Sequence, residues 1–516
     1  MNQQHLEEVA PLLFGQTKAK SPSSDLGRMA EFELARKRSH SAGQYTAVSC
    51  ADDEDLEDNN DNANIMSTTT HQNKQAPFHQ RLKFRLSELF GCSQDIPDSH
   101  PTNGRWSTVF LLLNSMIGSG ILNQPQVFAK AGILGGILLY LICCITMWLA
   151  QQKLLCAGIM AKKMDYSALA RHCFGRFGGV WFDGAVLLGG VLALCSYLTV
   201  IGGEGVAIIN DWIGTQGAVP ATVALPVVVV FFLLPLCMVR EFGHLAFVSV
   251  LSMVAIALVM WSVVLLGPSA SQGEGQGRSA GSGASPLLWF SWAGVLEKLG
   301  SVLFAFDALV ATFFAYQSME QKSTREWEKV TGISMLVGCL MCALTGISGY
   351  YSFRDETQGD ILDNFSGPFF DVVKFMVVLH LILYVPITFV VMRHSFAKLV
   401  LGKDVMEMSN ISYTALTCAL LGAPFLLVMI LFWANVSEGD AFGKILDVTG
   451  DFNDGSIALI FPGLLYMSKA HELSSPGTSF TTNLLVHLKT ACYLVVFGAL
   501  CVFIPVVEEL SSHSTT

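Results

Sequence analysis

From residue 106 onward the chain is a succession of long apolar blocks joined by short polar segments, whereas the residues before it are mostly polar. A block of about 20 apolar residues is the length of a helix that crosses a hydrocarbon core of about 30 Å. Read this way, helices are predicted near 106–129, 132–158, 179–212, 222–239, 245–266, 294–318, 328–352, 369–392, 411–434, 442–467 and 487–507, eleven in all. The expected fold class is therefore all-α, a polytopic membrane protein. The joins alternate in charge: one set holds Lys162, Lys163, Arg171, Arg176, Arg240, Lys322, Arg325, Lys329, Arg393, Lys398, Lys403 and Lys469, and the other is poor in Lys and Arg. Positively charged loops stay in the cytoplasm. The N-terminus is then expected inside and, with an odd count, the C-terminus outside or in a lumen. The Gly/Ser-rich stretch 267–286 and the acidic segments around Asp355–Asp363 and Glu438–Asp454 face outward in this reading. So do the sequons Asn364-Phe365-Ser366 and Asn435-Val436-Ser437.

Composition supports the division. The 516 residues are 52% hydrophobic and 14% charged, more apolar surface than a soluble core can use. Residues 1–105 carry the acidic run Asp52, Asp53, Glu54, Asp55, Glu57, Asp58 and Asp61, have few clustered aromatics, and are expected to be a disordered cytoplasmic tail. Residues 106–508 form the transmembrane domain and 509–516 a short outward tail. Within the N-terminal tail, Arg81-Leu82-Lys83-Phe84-Arg85-Leu86 fits an anionic leaflet or a solvated linker. Glu8-Val9-Ala10-Pro11-Leu12-Leu13 matches the acidic-dileucine pattern that sorting adaptors read, and Tyr45-Thr46-Ala47-Val48 the tyrosine-based one. They lean the expected location toward an endosomal, lysosomal or vacuolar membrane over the cell surface. No cleaved signal peptide is expected, so the first spanning helix directs insertion.

Catalytic chemistry finds little support. None of the thirteen cysteines falls in a predicted outward loop, and Cys339-Leu340-Met341-Cys342 lies inside an apolar helix without a second pair, so packing is expected over disulfides or metal ligation. The twelve histidines show no ligand spacing, and the glycine clusters follow helices rather than strands, which removes a phosphate-binding reading. No enzyme activity, cofactor or nucleic-acid partner is expected.

The informative segment is the first span, Asn114-Ser115-Met116-Ile117-Gly118-Ser119-Gly120-Ile121-Leu122-Asn123-Gln124-Pro125. Gly118 lies about 18 Å along it from Trp106, close to mid-membrane. A Gly-Ser-Gly set at that depth lets the helix come apart. Unwound backbone is tolerated there where it lines a cavity, and a half-helix N-terminus offers amides and a positive dipole end to a carboxylate. Close helix packing through small residues is the competing reading.

Asn114 through Gly132 resembles the first-helix signature of the amino acid/auxin permeases. Asp165-Tyr166-Ser167 with His172-Cys173-Phe174-Gly175 is similar to that family's first cytoplasmic loop. Gly349-Tyr350-Tyr351-Ser352-Phe353 with Gly359-Asp360-Ile361-Leu362-Asp363-Asn364 is similar to the end of its seventh helix. The resemblance covers about 106–507 and lies nearest the sodium-coupled neutral amino acid transporter branch. It implies a LeuT-type 5+5 inverted repeat plus one extra helix, with helices one and six both interrupted, although the sixth has no mid-helix Gly or Pro. Substrate contacts are expected at Ser115, Gly118, Ser119, Gly120 and Ile121 around the first break and, across the site, at Phe306 and at Asp307, a costly mid-helix charge. There Ala305-Phe306-Asp307-Ala308-Leu309-Val310 aligns on a family segment that usually carries a polar pair after Phe; here those positions are apolar, and a carboxylate stands just before them.

The expected function is secondary active, cation-coupled transport of amino acids by alternating access, neutral ones first, in a monomeric carrier. A membrane amino-acid sensor signalling through the tail, a carrier of cationic amino acids or amines, and a channel are the alternatives. The coupling ion is a proton or sodium. The resemblance implies a sodium site built on Asn114 and an eighth-helix hydroxyl, but that hydroxyl's position holds Tyr384, with Thr388 one turn away. Asp307 and Glu204 are membrane-depth carboxyls of the kind proton relays use. Proton coupling, or no tight coupling, is favoured over sodium. His380 reads as a packing residue.

Overall fold

The computed structural model describes residues 103–214, 219–238, 246–273, 286–402, 405, 408–434, 438–473 and 482–514. All of them fall in one unit, Pro77–Thr516. The acidic run, Arg81–Leu86 and both sorting patterns lie outside the described residues, as does the second sequon.

Among the described residues the architecture is all-helical, with one isolated bridge between Asn103 and Met319. The elements are α1 (Arg105–Met116), α2 (Gln124–Ala131), α3 (Ile133–Ala161), α4 (Tyr166–Ile213), α5 (Ala221–Val228), α6 (Leu234–Cys237) and α7 (Ala246–Gly273). They continue as α8 (Trp292–Glu297), α9 (Leu299–Ala305), α10 (Thr312–Ser318), α11 (Thr324–Phe353), α12 (Pro368–Phe396) and α13 (Asn410–Trp433). The last three are α14 (Glu438–Val448), α15 (Phe461–Leu473) and α16 (Thr482–Ser514), with a wide π-type stretch, Thr449–Ile460, joining α14 to α15. The predicted outward tail begins at 509, but α16 continues to Ser514.

Six helices, Ile133–Ala161, Tyr166–Ile213, Thr324–Glu356, Pro368–Leu401, Asn410–Trp433 and His487–Pro505, are each long and apolar enough to cross a membrane. They coincide with six of the predicted windows. The other windows hold interrupted helices, α1 with α2, α5 with α6, α8 to α10, and α14 with α15, or, in α7, the shorter apolar stretch Met253–Pro268. The surface is apolar where a soluble protein's would be polar: Trp106, Phe110, Leu141, Ile145, Phe231, Ile411, Ile430 and Trp433 are all exposed. Contiguous exposed apolar area of this kind faces lipid rather than water.

The third predicted window begins at 179, but its helix begins at Tyr166. Gly175, at φ +62°, kinks it and lets a helical segment precede the span. Asp165 caps that segment, its side chain accepting from the Ala168 amide at 2.7 Å. A second difference concerns Glu438–Asp454, expected as an outward acidic segment. Asp451 and Asp454 lie buried inside the π-type stretch, because Gly300 and Gly450 let the two backbones meet.

Candidate functional site: two interrupted helices

The first interruption falls at Ile117 and Gly118. α1 closes at Met116, both residues leave helical geometry, and a 3-10 turn over Ser119–Asn123 leads into α2. The first amides of such a turn have no acceptor before them and carry the positive end of the helix dipole. Ser119 is buried, and its Oγ has no hydrogen-bond partner. A Cβ placed on Gly118 would meet nothing within 4 Å, so open space adjoins that hydroxyl. The other flank is closed: a Cβ on Gly120 would lie 3.3 Å from the Phe304 ring and 3.4 Å from Ala305 Cα.

The second interruption lies beside the first. α9 ends at Ala305 and α10 begins at Thr312, and between them Asp307 Oδ1 accepts a hydrogen bond from the Leu309 amide at 2.9 Å. An Asp side chain that captures an amide two residues on offers the backbone an alternative to the helical ladder. Thr312 is buried here, and its Oγ also lacks a partner. This break, which the resemblance implied without a glycine or proline to mark it, is made by the aspartate.

The predicted site residues separate into groups. Asn114 is buried in the last turn of α1, Ser115 beside it is half-buried, and Ile121 is buried in the 3-10 turn. Phe306 is fully buried against Tyr140, ring centroids 5.6 Å apart and edge to face. Tyr140 donates to Gln124 Oε1, and Gln124 Nε2 donates to the Gly120 carbonyl at 2.7 Å, so Phe306 ties the second interruption to the first by packing. Asp307 is half-buried and is an electrostatic neighbour of Tyr384, Tyr166 and Asp454. Tyr384 packs 5.9 Å from Tyr197 and 5.4 Å from His380, centroid to centroid, and Thr388 bonds the Tyr197 hydroxyl.

Glu204 belongs elsewhere. Its Oε2 lies 2.9 Å from Lys374 Nζ, with the side chains only 2% and 8% exposed. The pair adjoins a pocket lined by Thr199, Val200, Gly203, Glu204, Asp360, Asp363 and Phe442. Asp360 and Asp363 lie in the connection that follows α11. Burial pushes the Asp360 carboxyl well above the usual carboxylate range, and the charges of Glu204 and Asp363 add to it. Burial also raises Asp363, against the pull of the Lys374 ammonium. Sequence reasoning missed Lys374. A Lys within an apolar window is itself a signal, since a membrane-depth charge calls for a partner.

Sequence reasoning missed the polar core of the π-type stretch too. Asp447 accepts from Lys298 Nζ at 2.7 Å and from the Ser301 hydroxyl, whose Oγ also lies 2.9 Å from Asn123 Oδ1. Further along, Asn453 Nδ2 donates to Asp454 Oδ1 at 3.0 Å.

A family model described as transmembrane amino acid transporter protein matches residues 101–507. The chain belongs to that family. Its members are transporters, not enzymes. Over 393 residues the chain is 24% identical to a Mus musculus protein named sodium-coupled neutral amino acid transporter 11, covering 73% of this chain and 82% of that one. It is 26% identical over 267 residues to vacuolar amino acid transporter 2 of Saccharomyces cerevisiae, covering 50% of this chain and 53% of the relative. A crystal structure of a mutant manganese transporter from Eremococcus coleocola superposes with a TM-score of 0.45 at 13% identity, covering 81% of this chain and 98% of that one.

Proposed function

We propose that this membrane protein is a secondary active carrier of amino acids, neutral ones first, working by alternating access and coupled to protons rather than sodium. The observation that carries the reading is the pair of interrupted helices side by side, with open space at Gly118 next to the unpartnered Ser119 hydroxyl. The substrate carboxylate takes the Ser119 hydroxyl and the amides that open the 3-10 turn. That arrangement satisfies a buried donor and meets the positive end of the helix dipole. The remaining predicted contacts, Ser115, Gly120 and Ile121, are neighbours of this segment in sequence and belong to the same proposal.

Proton coupling draws support from Asp307, a carboxyl set into the second interruption and an electrostatic neighbour of Tyr384 and Asp454. The relative named for sodium coupling points the other way, and transport assays decide. Uptake into proteoliposomes is measured with sodium replaced by choline at fixed pH, then with a pH gradient imposed without sodium. Transport that needs sodium and ignores the gradient overturns proton coupling. Comparing a panel of labelled amino acids between wild type and Asp307→Asn tests the substrate class. Loss of preference for neutral substrates, or a shift away from cationic ones, places Asp307 at the substrate, and unchanged selectivity removes it.

The finer picture belongs to the same proposal: eleven crossings in a LeuT-type 5+5 repeat plus one helix, a cytoplasmic N-terminus, and a monomer in lipid. An intracellular membrane is favoured, in keeping with the name of the vacuolar relative. Tagged protein that keeps its location after Leu12 and Leu13 are both changed to Ala counts against adaptor sorting.

A further inference from the structure

We propose that Asp454, with Asp307 as its electrostatic neighbour, is the site that takes up and releases the coupling proton, an assignment that rests on the proton-coupled reading above. Four observations lead there. First, Asp454 is only 1% exposed and its Oδ2 has no hydrogen-bond partner, while its Oδ1 receives one amide hydrogen bond from Asn453 at 3.0 Å. Second, among the described residues neither Asp454 nor Asp307 is ion-paired. Asp447, near the end of α14, holds Lys298 at 2.7 Å. Third, Asp454 sits in a π-type stretch, a widened helical geometry found frequently at functional sites.

Fourth, that stretch is pressed onto the interrupted helix. A Cβ on Gly450 would lie 1.8 Å from the Gly300 carbonyl oxygen. One on Gly300 would lie 2.0 Å from the Asp447 carbonyl oxygen and 2.8 Å from Asp451 Cγ. Only glycine on both sides permits this approach. A hinge movement at Phe306–Ala311 therefore changes the distance between Asp307 and the face that carries Asp454.

The surroundings of Asp454 favour a shared proton. Its charged neighbours are Asp307 from the second interruption and Asp451 from its own stretch. From α16 and α3, Cys501 and Cys143 face Asp451. From α4, the Tyr166 hydroxyl donates to the Ile457 carbonyl, Trp181 donates to Ser456 at 2.9 Å, and Gly189 makes room for Asn453. Two carboxyls that feel each other's charge and have no cation resist ionising together, so a negative charge on one favours a proton on the other. In transport, an Asp454 oxygen gains that proton from the side that loads substrate, and the O–H bond breaks again when hinge movement opens the site to the other side.

The test uses the full chain in proteoliposomes without sodium, with labelled alanine, glutamine, leucine and arginine as probes. For one-to-one coupling, a gradient of one pH unit sustains about tenfold accumulation. Asp454→Asn, a mimic of the protonated side chain, is expected to lose that accumulation while exchange of labelled for unlabelled amino acid persists. Accumulation by Asp454→Asn equal to wild type overturns the assignment while leaving proton coupling intact. A wild type that ignores the gradient fails the parent reading, and this one with it. Should Asp454→Asn not reach the membrane, Asp454→Glu decides: retained accumulation with a displaced pH profile is expected, and an unchanged profile overturns the proposal.

Discussion

The Lys374–Glu204 pair offers a prediction with a definite magnitude. One ammonium faces the carboxyls of Glu204, Asp363 and Asp360, and the pair itself is 2.9 Å long and almost fully buried. Replacing Lys374 with Met keeps most of the aliphatic stem but removes the ammonium that Glu204 pairs with, and removing one partner of a buried pair costs about 3–5 kcal/mol. Removing both charges leaves little uncompensated, so Lys374→Met/Glu204→Gln should regain about half of the loss or more. For a chain of this size, about 1–2 °C per kcal/mol brings the Lys374→Met shift to about 5 °C. Heating detergent-solubilised protein and following the monodisperse fraction by fluorescence size exclusion reads the shift for both single variants and the double variant. A Lys374→Met protein no less stable than the double variant would refute the argument, because it would mean that Glu204 bears no uncompensated charge once the ammonium is gone.

Other outcomes follow from the same geometry. Gly300→Ala is expected to lower thermal stability by about 1–3 kcal/mol through overpacking against the Asp447 carbonyl, and a wild-type melting point would contradict the backbone contact. Gly118→Ala should leave stability unchanged, since nothing lies within 4 Å of the new methyl, but weaken amino acid binding measured by scintillation proximity. Ser119→Ala should weaken that binding about ten- to a hundredfold, one hydrogen bond to a charged group being worth about 1.5–3 kcal/mol. Asp360 has its folded value raised above the unfolded one, so the folded state keeps its proton longer. The contribution of Asp360 to stability should be fully present below about pH 4 and fall by about 1.4 kcal/mol per unit as pH rises toward the folded value. Asp360→Asn should flatten that slope in melts taken between about pH 4 and 7.

How much of this is legible in the sequence depends on which physical signal each feature uses. The spanning helices are legible because a run of about 20 apolar residues has few other uses, and the six long ones fall on windows read from the chain. The exception, the start of α4 at Tyr166, is hidden because its first turns are polar and the kink depends on one positive φ at Gly175. The Gly-Ser-Gly interruption announces itself by composition.

The second interruption uses a signal that hydropathy does not register. Across Phe304–Ala311 every residue but Asp307 is apolar, and the helix still breaks. On sequence Asp307 reads as an expensive charge and therefore as a ligand, whereas its first action is to bind the Leu309 amide and stop the helix. The two roles are compatible, since a carboxylate has a second oxygen to offer. A lone aspartate at mid-span is thus a sign of a break as well as of a site. The same reasoning applies to Asp447, Asp451 and Asp454. Their spacing of four and then three residues puts them on one helical face, which argues for a polar seam inside a helix bundle rather than a loop. What the spacing could not reveal is the division of labour along that seam. It arises because Lys298 reaches Asp447 and stops there, and Asp454 is left with the charge it must neutralise by other means.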